Sequence, residues 1–222
     1  LRMQEKLLVD AEKLVIDTNV LFQIGDGTYR TLIRDWKAEH FPNLREFENY
    51  GFVSVPNIAY FGGDPARPFA YERVYNRGTN AAFSHFIKTG YFENAGTFVT
   101  AQTYEFGGQL YTFPSQGSIS LEAAVAKLEG GRFDAGGDIF ISGNEVKLRN
   151  YTCTASNTVV LSVTNALEDS GVGANSLIRV RRGLALKTVP RTGSLLGTSI
   201  EINGNRFEEA LCSWAAPDVG PL

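Results

Sequence analysis

Apolar residues fall into short blocks, and most blocks alternate with polar positions as half-buried strands do. Residues 138–142, 145–148, 158–164, 177–181 and 184–189 each read as a strand. Near the start, Leu14-Val15-Ile16, Asp17-Thr18-Asn19, Val20-Leu21-Phe22 and Gly25-Asp26-Gly27 predict strand, turn, strand, turn, because Gly tolerates positive φ and Asp bonds its own backbone. An extended stretch is predicted over 97–112, broken at Gly107-Gly108. Gly143-Asn144 and Asn203-Gly204-Asn205 are hairpin-type turns, and the prolines make residues 62–68 a loop.

Three blocks predict helices instead. Residues 28–38 place Leu32, Ile33 and Trp36 on one face, with Thr28 or Thr31 as the cap and Pro42 closing the segment downstream. Residues 80–88 offer Asn80 as a cap, Phe83, Phe86 and Ile87 as an apolar face, and Gly90 as a left-handed stop. Clearest is Ser120–Glu129, with Ser120 as cap, Leu121, Val125 and Leu128 at i, i+4, i+7, and Gly130 at the end. The expected fold class is mainly β with a few short helices, either β-sandwich/barrel-like or the start of a β-solenoid. No fixed period of 20–50 residues singles out the solenoid. Residues 1–114 form an aromatic-rich α+β part and residues 115–222 a regular β part with one capping helix.

Composition narrows the function classes. A chain of 222 residues can bury an ordinary core, and 43% hydrophobic against 20% charged residues excludes intrinsic disorder. A net charge of −3 supplies no global attraction to nucleic acid, so no nucleic acid partner is expected. No apolar run is long enough to span a membrane, and the charged N-terminal residues lack the apolar stretch of a secretory signal. Two cysteines, Cys153 and Cys212, and two histidines, His40 and His85, cannot assemble a zinc site by spacing. Both thiols are expected buried and unpaired. No Walker, GxGxxG or GxSxG pattern occurs. Glu105, Asp134, Asp138 and Glu145 are candidates for a glycosidase carboxylate pair, yet spacing brings no two of them together. Arg179, Arg181 and Arg182 form the one basic cluster, with strand alternation placing Arg179 and Arg181 on one face. No catalytic residue, cofactor site or metal site is assigned.

Two resemblances attach to the N-terminal residues. Val15-Ile16-Asp17-Thr18-Asn19-Val20-Leu21 resembles the opening of a PIN-domain ribonuclease, which would make Asp17 a magnesium ligand. That family also needs further converging carboxylates and an alternating α/β pattern, which the downstream sequence lacks. Glu12 to Thr18 together with Phe22 to Thr28 resembles a short unit near the N-termini of phage tail fibres and tailspikes. There a strand ending in Asp-Thr turns into a second strand ending in Gly-Asp-Gly, as a compact hairpin. The resemblance covers about 17 of 222 residues, and the Trp-x-x-Leu-Pro continuation of the family is missing, since Trp36 comes late. Tyr104–Phe113, the 120–129 helix and residues 133–143 are similar to the segment that caps a tailspike β-helix. These resemblances imply a virion structural protein of a tailed phage, in a tail fibre, tailspike or adaptor. Such a protein would be a homo-oligomer, expected as a trimer, contacting other virion proteins and a surface glycan. A capsid or decoration protein, a glycan depolymerase fragment and a PIN-like nuclease are the alternatives.

Overall fold

The structure is a computed structural model that describes residues 2–3, 7–25, 33–63, 70–106, 109–169, 175–188, 190–195, 197–207 and 213–215. Its strands begin with β1 (Arg2–Met3), β2 (Lys13–Ile16), β3 (Leu21–Ile24), β4 (Glu46–Asn49), β5 (Phe52–Phe61), β6 (Tyr71–Asn76) and β7 (Thr79–Asn94). They continue with β8 (Thr97–Phe106), β9 (Gln109–Pro114), β10 (Ile119–Glu129), β11 (Arg132–Ala135), β12 (Ile139–Arg149) and β13 (Thr152–Ala155). The last are β14 (Thr158–Asp169), β15 (Ser176–Val180), β16 (Gly183–Thr188), β17 (Thr192–Ser194), β18 (Thr198–Ile202), β19 (Asn205–Phe207) and β20 (Ser213–Ala215). The mainly β expectation is met.

Pairing is parallel almost throughout, and each strand pairs with strands one turn of chain away, which is the pattern of a β-solenoid. Three ladders run along it. Face A stacks β2, β4, β6, the end of β7 and the second halves of β10, β12 and β14, then β17. Face B stacks β1, β3, the start of β5, the start of β7, β8, β11, β13, β15 and β18. Face C stacks the bridge at Trp36, the end of β5, the middle of β7, the first halves of β10, β12 and β14, then β16. Antiparallel pairing appears where β9 folds back on β8, where β19 returns on β18 and where β20 joins β17. At about 4.8 Å per rung, the eight rungs of face A extend roughly 34 Å.

The interior between the faces is filled by stacked side chains of like kind. On face B, Phe98, Phe133, Cys153, Ile178 and Ile200 follow one another in register, all buried. An aromatic column, Trp36, Phe41, Phe47, Phe61, Phe98, Phe133 and Tyr151, occupies the first half, with Trp36 and Phe41 stacked at 4.2 Å. Aromatics bury the most area per residue, and these seven are all buried. At the corner from face A to face B, Asn49, Asn76 and Asn94 stack as a buried polar ladder.

Several local expectations are corrected. Residues 120–129 are strand β10, not a helix, and residues 80–88 lie inside strand β7. In β10 the inward residues are Ile119, Leu121 and Ala123 on face C, then Ala126 and Leu128 on face A. The corner between the faces inserts one residue into the period of two, and the resulting spacing imitates a helical one. Over the described part of 28–38 there is no α-helix: Trp36 bridges Ala59, and the described helical turn is the 3-10 turn Ala38–His40. Residues 28–32 of that segment lie outside the described residues. β2 and β3 do not form a hairpin with each other; they pair with β4 and β5 on different faces. Gly143-Asn144 is a bulge inside β12, at the corner from face C to face A. The Asn203-Gly204 turn does close a hairpin, with φ of 50° and 79° as a two-residue turn of that type requires.

Candidate functional site

The residues singled out for catalysis do not converge. Asp17 is exposed in the turn after β2, where its Oδ1 accepts the Thr18 N–H at 2.7 Å. The described residues contain no group of three metal-ligating side chains and none of the alternating α/β pattern of a PIN-type nuclease. Asp134 points outward on face B. Asp138 caps the corner into face C, its Oδ1 accepting the Thr158 N–H at 3.0 Å and the Thr158 hydroxyl at 2.7 Å. Glu145 is on face A, accepting from Asn165 at 3.3 Å. These three carboxylates are thus distributed over different parts of the solenoid, and the Glu105 side chain lies outside the described residues. Arg179 pairs with Glu201 at 3.0 Å. Arg181 and Arg182 sit in the bend after β15, so the expected alternation of Arg179 with Arg181 stops at Val180. Cys153 is buried and free, and burial pushes its thiol up to about 12; Cys212 and the Asp26-Gly27 pair lie outside the described residues.

What the fold does assemble is an open groove of about 860 Å³ along the corner between faces A and B. Its floor is a stack of glycines, Gly51, Gly78, Gly96 and Gly131. A Cβ on Gly78 would lie 2.1 Å from the Gly51 carbonyl oxygen, and one on Gly96 2.2 Å from that of Gly78, so only glycine permits this spacing. The buried asparagines hold the turn in place from beneath. Asn49 donates to Asn76 Oδ1 at 3.0 Å, Asn76 donates to Asn94 Oδ1 at 2.7 Å, and Asn94 donates to the Tyr151 hydroxyl. Asn49 and Asn94 also accept the N–H of Gly51 and Gly96, at 3.0 and 3.1 Å. The groove walls carry Tyr50, Arg77, Thr79, Thr97, Arg132 and Asn150, and among the described residues no carboxylate lines it.

Face A adjoins the groove at Tyr50 and Arg77 and carries an interleaved set of aromatic and charged side chains. Tyr50 and Tyr75 are 5.7 Å apart, and the Arg77 guanidinium lies 5.2 Å above the Tyr75 ring. Arg73 is 5.6 Å from both Tyr75 and Tyr91, and the Lys127 ammonium is 5.4 Å from Tyr91. Glu48, Tyr75, Glu93 and Lys127 follow one another in register across the face. Tyr91 donates to Glu93 at 2.7 Å, and Lys13 pairs with Glu48 at 2.8 Å. Partial burial raises the phenols of Tyr50 and Tyr91, holding both as hydrogen-bond donors. Tyr75 is buried under the Arg73 and Arg77 guanidinium groups, whereas Tyr50 and Tyr91 are half-buried, and such flat rings bordered by fixed donors and acceptors can stack on a sugar ring while hydrogen-bonding its hydroxyls.

Sequence reasoning missed this corner, although a signal was present. Asn49-Tyr50-Gly51, Asn76-Arg77-Gly78 and Asn94-Ala95-Gly96 repeat one Asn-x-Gly pattern. No family model, curated protein or solved structure matches the chain. Its class is therefore defined by geometry: a parallel β-solenoid with a glycine-floored groove beside a tyrosine and arginine face. No helix among the described residues is long and apolar enough to cross a membrane.

Proposed function

We propose that the chain is a virion structural protein of a tailed phage, a β-solenoid part of a tail fibre, tailspike or adaptor, acting by contacts with other virion proteins and a surface glycan. The observation that carries this reading is the straight groove joined to face A, which suits a linear polymer lying along the solenoid axis. Arg77 and Arg132 on its walls, without a carboxylate, favour an acidic glycan. Of the unit that resembles phage fibres only the strand ends are kept: β2 ends at Ile16 before Asp17-Thr18 and β3 ends at Ile24 before Gly25, whose φ is 69°, while the two strands pair with β4 and β5 rather than as its hairpin.

A panel of acidic and neutral bacterial surface polysaccharides, titrated against the purified chain, tests this. Binding to an acidic member is expected, with Arg77→Ala and Tyr50→Ala, both on groove-lining residues, each weakening it about tenfold or more, since a charged or aromatic anchor contributes on the order of 1.5–3 kcal/mol. Saturable binding that survives both substitutions would contradict the assignment to this groove, and absence of binding to every member would contradict the glycan contact.

A depolymerase reading has one observation in its favour. Glu48 and Glu93 lie two rungs apart on face A, with backbones about 10 Å from each other, near the separation an inverting carboxylate pair uses. The ion pair to Lys13 and the hydrogen bond from Tyr91 already engage both, which favours binding over turnover. Release of new reducing ends from the bound polysaccharide, abolished by Glu93→Gln, would establish the depolymerase instead.

A further inference from the structure

The β8–β9 arm leaves the solenoid between Thr100 on face B and Ile119 on face C. Ala101 and Thr103 are buried on its inner side, whereas Gln109, Tyr111, Thr112, Phe113 and Pro114 of β9 are all exposed. Cross-strand pairing places Gln102 opposite Phe113 and Tyr104 opposite Tyr111, so these four share the outer side. Tyr104 and Phe113 are 6.1 Å apart, and Phe113 and Tyr111 remain 54% and 41% exposed. A two-stranded hairpin with a bare aromatic side is marginal alone in water, and its outer edge offers unpaired backbone groups.

Face C has a matching surface. Its outward row reads Tyr60, Phe86, Ser120, Phe140, Val160 and Ala185, without a charge. Phe86 and Phe140 are 41% and 42% exposed, and Tyr60 stacks on Phe86 at 5.3 Å. The adjacent Lys88 and Glu122 neutralise each other at 3.0 Å. Face A, by contrast, is crowded with charges. The outer side of the arm and this row of face C are thus two uncharged aromatic surfaces of one chain, both exposed among the described residues.

We propose that the β8–β9 arm of one copy docks on face C of a second copy, its Tyr104, Tyr111 and Phe113 covering Phe86 and Phe140. The proposal rests on the homo-oligomeric assembly suggested above. Different patches meet in this contact, so it closes either reciprocally about a two-fold axis or head to tail as a ring; a ring of three agrees with the expected trimer. Neither aromatic row brings a charge into the contact, whereas a contact through face A would take its ion pairs out of water.

The test combines mass with proximity. Light scattering on the unmodified chain reports whether copies associate. Gln109→Cys and Ser120→Cys, together in a Cys212→Ser background, then place one thiol on the arm and one on face C while leaving the aromatics intact; Cys153 is buried. A short bis-maleimide should link copies into covalent multimers only when both new cysteines are present. A Tyr111→Ser, Phe113→Ser chain should fall to monomer while still unfolding cooperatively, because both side chains are exposed in the single chain and only the stabilisation by association is lost. An oligomer that gives no arm-to-face link and is unaffected by these serines would overturn the docking while leaving the assembly standing. A monomer for the unmodified chain would overturn both.

Discussion

Asn76 sits at the centre of the polar ladder: its Oδ1 accepts from Asn49 at 3.0 Å and Asn80 at 2.9 Å, and its Nδ2 donates to Asn94 at 2.7 Å. Asn76→Ala should cost about 2–4 kcal/mol, since it strands several buried polar groups at once; a denaturant titration measures this, and a loss below about 1 kcal/mol would deny the ladder its role. His85 is enclosed by Phe61 and Phe98, with Nε2 2.9 Å from the Val99 carbonyl oxygen, and burial lowers its pKa to about 4. A depressed histidine favours the folded state while neutral. Its contribution is therefore complete above the ordinary value of about 6.5 and falls away as pH drops toward 4, by about 3 kcal/mol in total. His85→Gln should flatten stability between pH 6.5 and 4 relative to the parent chain. Asp169 runs the other way: burial raises its carboxyl, so it favours the folded state when protonated, and that contribution is lost as pH rises. Comparing each variant with the parent separates the two, and an unchanged slope for His85→Gln would contradict the buried neutral imidazole. The surroundings of His85 were not legible from sequence, because a lone His carries no mark of what packs on it, whereas the ladder left a trace in the repeated Asn-x-Gly pattern at Asn49, Asn76 and Asn94.

At the scale of elements, glycines divide by where they sit. Gly78→Ala should destabilise by about 3 kcal/mol through overpacking against the Gly51 carbonyl. Gly183 has open space around its Cβ position, so Gly183→Ala should be neutral or stabilise by about 0.4–1 kcal/mol. Thermal melts of the pair check this, and equal effects would contradict the stacked floor. The strand-rich second half was legible because alternation is a local property. The 120–129 strand was not, because its corner residue turns two period-two runs into an apparent helix. The solenoid was partly legible: Ile119, Leu121, Ala126 and Leu128 are followed by Ile139, Ile141, Val146 and Leu148 in register, a repeat of 20 residues. Elsewhere the partners on face B are spaced 35, 20, 25 and 22 residues apart, from Phe98 through Phe133, Cys153 and Ile178 to Ile200. Insertions at the corners, including the whole β8–β9 arm, erase a fixed period while leaving the ladders intact.

For the whole molecule, the three faces differ in what they offer a neighbour. Face A is charged and aromatic, the corner groove is polar and cationic, and face C and the outer side of the arm each expose an uncharged aromatic row, with the Lys88–Glu122 ion pair beside the one on face C. The composition alone, with a net charge of −3, could not reveal this segregation because it averages the faces. The most direct measurement is the mass of the purified chain in solution by light scattering across a range of concentrations. A stable multiple of 24.3 kDa, three-fold above all, is the predicted result. A monomer that persists at every concentration would contradict the account of this solenoid as a self-assembling virion component.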